Sequence, residues 1–211
     1  MSASHNDCLR ASELELWRGD RCLFRNLNLK VSAGELLHVT GANGSGKTSL
    51  LRVLTGLTQP ESGSVLWNEQ PVTRQRPDYH QGMGYVAHHD GFYDDLSLAQ
   101  NLHWGVGLHA NLTMEAVNRY LVEIGLEEAA DVPAYALSAG QKRRLSLARV
   151  HLSGKRLWIL DEPLANLDNE ARDWCDALIA DHVEKGGLVV ATSHQALCGQ
   201  RVARHELAIA S

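Results

Sequence analysis

The 211-residue sequence predicts an α/β fold, with a mostly parallel sheet covered by helices on both faces. Three observations carry that expectation. An apolar strand at Glu35–Thr40 runs into a glycine-rich turn and then into residues at helical spacing. A second apolar strand, Leu157–Leu160, ends in two carboxylates and is followed by a helix (169–185) and another strand, Leu188–Thr192. Between these halves, residues 92–136 carry apolar residues at helical spacing and read as several helices inserted into the α/β core.

Taken in order, residues 12–40 read as short strands. Leu27, Leu29 and Val31 alternate with Asn28, Lys30 and Ser32, the period-2 pattern of a half-buried antiparallel strand. After the glycine turn, Leu50, Leu51 and Leu54 recur at helical spacing until Gly56 and Pro60 stop the helix. Strands follow at Ser64–Trp67 and Met83–Ala87, and a further helix at 139–151. The length suits a single domain. Residues 1–87 and 137–211 would form its core with an antiparallel β-subdomain, and residues 88–136 an α-helical subdomain.

Bulk properties exclude several classes. A net charge of −5 with scattered basic residues argues against a nucleic-acid partner. No apolar run approaches the roughly 18–20 residues needed to cross a bilayer, so membrane association is expected through a partner and not by insertion. The N-terminus lacks the apolar core of a signal peptide. Four cysteines without a C-x-x-C spacing fit free thiols in a reducing compartment.

The stretch Gly41-Ala42-Asn43-Gly44-Ser45-Gly46-Lys47-Thr48, continued by Ser49, fits G-x-x-x-x-G-K-[ST] in full, between a strand and a helix. Its glycines let successive N–H groups converge on phosphate oxygens, and the helix adds its positive N-terminal end. Lys47 is expected on the β- and γ-phosphates of ATP, and the Thr48 hydroxyl on Mg²⁺. Asp161 and Glu162 stand at the carboxyl end of a parallel strand, where ligands of open sheets bind. Asp161 is expected beside Mg²⁺, and Glu162 as the base for the attacking water. Alone, such an acidic turn is more often merely solvated; the glycine loop changes that balance.

Leu137-Ser138-Ala139-Gly140-Gln141, followed by Lys142-Arg143-Arg144, resembles the LSGGQ signature of the ABC ATPases. Locally, Ser138 and Gln141 have capping-box spacing. Asn166-Leu167-Asp168 looks like the family's D-loop, and Ser193-His194 like its histidine switch. The resemblance implies a P-loop NTPase of ABC type with a RecA-like parallel-sheet core. It also implies a head-to-tail homodimer in which Ser138, Ala139, Gly140 and Gln141 of one subunit close over ATP on the other, with His194 at the γ-phosphate. Two positions depart from the family. His88 stands where a lid glutamine is usual, and an imidazole titrates near neutrality. Trp17 is the nearest candidate for an adenine-stacking aromatic, but it falls about one residue out of register.

Longer stretches, LSAGQKRRLSLAR, LWILDEP, TGANGSGKTSLLRVLTGL and YHQ at 79–81, resemble the cytochrome c biogenesis ATP-binding export family. That likeness implies an integral membrane partner, CcmB-like or CcmC-like, at the cytoplasmic face of the bacterial inner membrane. It also implies a part in haem handling and release of the haem chaperone during c-type cytochrome biogenesis. Phe92 or Tyr93 would line the docking groove. The competing reading is the ATPase of another ABC exporter with a different small-molecule cargo. A DNA- or ribosome-acting ATPase would need coiled coils or a second cassette, and a non-catalytic module would not need Glu162 and Lys47.

Overall fold

The computed structural model describes residues 7–88, 91–110, 112–199 and 201–209. His89 therefore lies outside the described residues. Two long strands open the chain, β1 (Cys8–Arg18) and β2 (Arg21–Ser32), paired antiparallel across a tight turn at Gly19-Asp20. With β4 (Ser62–Trp67) and β5 (Gln70–Pro71) they form an antiparallel sheet in the order β2-β1-β4-β5. The strands expected from residue 12 are thus one long hairpin that begins at Cys8.

The second sheet is parallel, in the order β6-β7-β8-β3-β9. Its members are β3 (Glu35–Thr40), β6 (Met83–Val86), β7 (Leu157–Asp161), β8 (Leu188–Thr192) and β9 (Ala203–Ala208). Strands β7 and β8 are apolar up to their last residues, Asp161 and Thr192, because both faces are covered. Strand pleating then divides each strand between two cores. Leu157 and Ile159 of β7, with Leu188 and Val190 of β8, face α1 (Lys47–Leu54) and the antiparallel sheet. Trp158, Leu160, Val189 and Ala191 face α5 (Ala139–Leu152) and α6 (Asn169–Glu184).

A third core joins α3 (Leu98–Ala110), α4 (Met114–Glu123) and one side of α5, through Leu102, Val106, Leu121, Leu145 and Ala148. Thr113 caps α4 by accepting the Ala116 N–H, which explains why that helix starts where it does. Helix α2 (Arg76–Gly82) carries the Tyr79-His80-Gln81 stretch. The buried Tyr79 hydroxyl donates to Leu54 O at 2.8 Å, and His80 Nε2 lies 2.9 Å from Thr55 O. Both atoms satisfy carbonyls left open at the end of α1. The helix that carries the glycine loop is therefore held at its far end by α2. Among the described residues, no helix is long and apolar enough to cross a membrane.

Candidate active site

The glycine loop links β3 to α1. Gly41 and Gly46 both have positive φ, 148° and 110°. A Cβ on Gly41 would stand 2.7 Å from Ser45 Oγ and 2.8 Å from Ile209 O; one on Gly46 would press on Leu23. Only glycine lets the loop fold this tightly against its surroundings. Lys47, the first residue of α1, is 7% exposed and donates to the carbonyls of Gly41 (2.9 Å) and Ala42 (3.2 Å). Its ammonium is thus fixed inside the loop, and with the helix N-terminus makes a concentrated positive site.

This loop forms one wall of a cavity of about 420 Å³. Asn43, Gly44, Gly46, Lys47, Thr48 and Ser49 line that wall. Glu162, His194, His88 and Ala165 also line it, as do Arg18 and Leu23 of the hairpin. Gly41, Ala42 and Ser45 belong to the loop but do not line the cavity.

The acidic strand end is tightly organised. Asp161 is 1% exposed; its Oδ1 accepts the Thr192 hydroxyl at 2.7 Å, while its buried Oδ2 has no partner among the described residues. A buried carboxylate oxygen with no donor fits an oxygen ligand of a hard cation. Glu162 has a φ of 51°, an uncommon conformation for a residue with a Cβ. The strain is held by two anchors. The Glu162 N–H donates to the same Thr192 hydroxyl at 2.9 Å, and the Glu162 carbonyl accepts from Arg143 Nη2 at 2.7 Å. The left-handed turn aims the carboxylate at His194, whose Nε2 lies 3.5 Å from Glu162 Oε1.

Three contributors were not singled out from the sequence. Thr192, fully buried, links the two acidic residues. Arg143, on the second turn of α5 and 4% exposed, also donates to the carbonyls of Asp161 and, at 2.9 Å, Ala87. His38 in β3, also buried, places Nε2 3.0 Å from Ser193 O and so holds the residue just before His194. Each is distant in sequence from its partner, so no local spacing reveals it.

The signature residues lie apart from this cavity. Ser138 caps α5 through the complete capping box, accepting the Gln141 N–H at 3.2 Å while its own N–H donates to Gln141 Oε1 at 2.9 Å. A Cβ on Gly140 would stand 2.7 Å from Asn166 O, so glycine is required for α5 to meet the 163–168 loop. Ala139 lines a second depression of about 390 Å³, with Asn166, Lys142 and His88. None of Ser138, Ala139, Gly140 and Gln141 lines the first cavity. Asp168 caps α6, accepting the Ala171 N–H at 2.8 Å.

Trp17 is not among the residues lining the cavity. Its indole N–H donates to Glu15 at 2.7 Å, and the Arg25 guanidinium lies 5.5 Å from its ring centre. Residues 193–199 form no helix, with Cys198 buried and His194 exposed. Among the described residues, no cluster of three or more His, Cys, Asp or Glu could hold a metal by itself.

Comparison with known proteins identifies the family. The ABC transporter family model matches residues 24–165. The cytochrome c biogenesis ATP-binding export protein CcmA of Pseudomonas syringae pv. tomato is 46% identical over 189 residues, covering 90% of this chain and 89% of its own. CcmA of Escherichia coli K12 is 42% identical over 189 residues, with 90% of each chain covered. CcmA 2 of Cupriavidus metallidurans is 41% identical over 190 residues, again with 90% of each covered. Among solved structures, an ATP-binding subunit of an ABC transporter superposes with a TM-score of 0.77 at 22% identity, over 88% of this chain and 79% of that one. An ABC transporter ATP-binding protein of Pyrococcus furiosus gives 0.78 at 19% identity, over 95% and 97%. The structural matches establish the fold, and the sequence matches go further: the chain belongs to the ABC transporter ATP-binding family, within the group of the CcmA proteins.

Proposed function

We propose that this ATP-hydrolysing ABC subunit drives a CcmA-type membrane complex, with the chemistry centred on Glu162. One observation carries the reading. A buried lysine, a glycine loop and a Glu–His pair line one cavity, and the unsatisfied carboxylate of Asp161 adjoins Glu162 in the chain. The loop N–H groups and Lys47 bind the triphosphate, and Lys47 neutralises charge that builds on the β–γ bridge. Glu162 accepts a proton from the attacking water, and His194 holds that carboxylate and faces the γ-phosphate. Thr48 and Asp161 would hold Mg²⁺, which supplies charge neutralisation on the phosphates when bound.

The separation of Ser138–Gln141 from the cavity of their own chain supports a head-to-tail homodimer, with each signature turn completing the partner's site. The free N–H groups of a capped helix start suit that task. The relatives' name, cytochrome c biogenesis ATP-binding export protein, supports a role in haem handling and release of the haem chaperone. It also supports a CcmB-like or CcmC-like membrane subunit, with peripheral placement at the cytoplasmic face of the inner membrane. Residues 88–136 would act as the helical subdomain that receives this partner. There Tyr93 is 68% exposed, whereas Phe92 is half-buried under Arg149.

Glu162→Gln tests the chemistry. The variant is expected to keep ATP affinity and to accumulate an ATP-bound dimer in size-exclusion chromatography, with turnover lost. Unchanged turnover would remove Glu162 as the base. Tyr93→Asp tests docking: ATP binding should survive while co-purification with the membrane subunit falls.

A further inference from the structure

The β1–β2 hairpin lends two residues, Arg18 and Leu23, to the lining of the nucleotide cavity. Their placement follows from the register. Leu16 pairs with Phe24 and Trp17 with Cys22, so Leu23 is an extra residue in β2, a bulge. The bulge brings Leu23 against the glycine loop, where a Cβ on Gly46 would stand 3.2 Å from Leu23 Cβ. Along β1, Leu14 and Leu16 are buried, and the period-2 pleat puts Arg18 on their face. Trp17 falls on the other face, engaged by Glu15 and Arg25. The pleat therefore gives the cavity side to Arg18 and not to Trp17.

Among the described residues, the Arg18 side chain makes no hydrogen bond or ion pair. Its strand partner at the hairpin end is another arginine, Arg21, which offers no counter-charge. The phosphate end of the cavity is already served by Lys47 and the start of α1. What remains on the hairpin side is a flat cation beside an apolar side chain, which suits the face of a nucleobase.

We infer that Arg18, with Leu23 beside it, is the base-contacting residue of this site, its guanidinium stacking on the base in place of an aromatic ring. The inference rests on the ATP-site reading above and adds a specificity consequence. A guanidinium laid on a π-face does not read the base edge, so ATP and GTP should bind the chain with affinities within about threefold of each other.

The test measures dissociation constants of the full-length chain for Mg·ATP, Mg·GTP and Mg·tripolyphosphate, which lacks base and sugar. Arg18→Ala is expected to weaken ATP about five- to tenfold. Its tripolyphosphate affinity should stay at the wild-type value. Arg18→Tyr, which restores a flat π surface at that register, should recover ATP binding, and Trp17→Ala should match wild type. In steady-state hydrolysis, Arg18→Ala should raise KM and leave kcat unchanged. Equal ATP affinity in Arg18→Ala overturns the inference, as does an equal loss for tripolyphosphate, which would make Arg18 a phosphate contact. Loss in Trp17→Ala in place of Arg18→Ala also overturns it, as does tenfold or greater preference for ATP over GTP. Failure of the wild-type chain to bind ATP, or a Lys47→Ala chain binding it normally, would instead strike the ATP-site reading itself.

Discussion

Replacing Thr192 by valine preserves the side-chain shape and deletes one hydroxyl. That hydroxyl is fully buried, donates to Asp161 Oδ1 at 2.7 Å and accepts the Glu162 N–H at 2.9 Å. A hydrogen bond to a carboxylate contributes about 1.5–3 kcal/mol and one to a neutral amide about 1 kcal/mol, so the loss should be about 3 kcal/mol. Asp161 is poorly placed to compensate, because its Oδ2 already lacks a donor among the described residues. With a urea m-value of about 2–3 kcal/mol/M, the unfolding midpoint should fall by about 1–1.5 M. Thr192→Ser keeps the hydroxyl and should lie close to wild type. Steady-state ATP hydrolysis should drop about tenfold or more in the valine variant, because the backbone turn that aims Glu162 loses an anchor. A valine variant with a wild-type midpoint and full turnover would refute the hydrogen-bonded arrangement of the acidic pair.

Gly140→Ala should destabilise the chain by about 1–3 kcal/mol in urea unfolding, since the added Cβ meets the Asn166 carbonyl at 2.7 Å; an unchanged midpoint would contradict that contact. His182 stacks on Trp158 at 3.8 Å, and burial pushes its pKa down to about 4, outweighing the hydrogen bond from Nε2 to Arg156 O. The unfolded chain therefore binds the proton first: above pH 6.5 the residue contributes no pH dependence, and stability is lost progressively as pH falls from 6.5 to 4. The loss from this residue should be about 2–3 kcal/mol. His182→Phe retains a ring against Trp158 and should flatten the stability profile over that interval; an equally steep profile would show that other groups carry it. Lys47→Ala should lose ATP affinity and turnover together in binding and hydrolysis assays, because the charge held inside the loop is gone.

The parts of the site that were legible in the sequence are those written contiguously. The glycine loop, the Leu157–Glu162 strand and the Ser138–Gln141 cap each declare a local geometry, and the structure contains each one. The central strands were legible because burial on both faces demands unbroken apolar runs. Strand β9 was not, because at the sheet edge its Ala-Arg-His-Glu-Leu-Ala sequence needs no such run. Helix α2 escaped notice because seven residues with a proline in the first turn give too little periodicity. Arg143, Thr192 and His38 act on backbone or side-chain groups far away in sequence, so their roles exist only after folding. The register of Trp17 and Arg18 depends on a bulge at Leu23, which alternation alone does not mark.

The Arg143 guanidinium has a mechanical meaning. It reaches three carbonyls on two separate segments, Ala87 after β6 and Asp161–Glu162 after β7. Three points of attachment fix an orientation as well as a distance. The first turns of α5 are therefore riveted to the tips of these strands and move with them as one lever arm. Helices α3 and α4 pack onto the same α5 through Leu145 and Ala148, and the segments that flank them are tied together, Ala134 N–H donating to Leu96 O at 2.9 Å and Tyr135 N–H to Asp94 O at 3.2 Å. The helical layer is thereby coupled to the strand tips that carry Asp161 and Glu162 through one side chain.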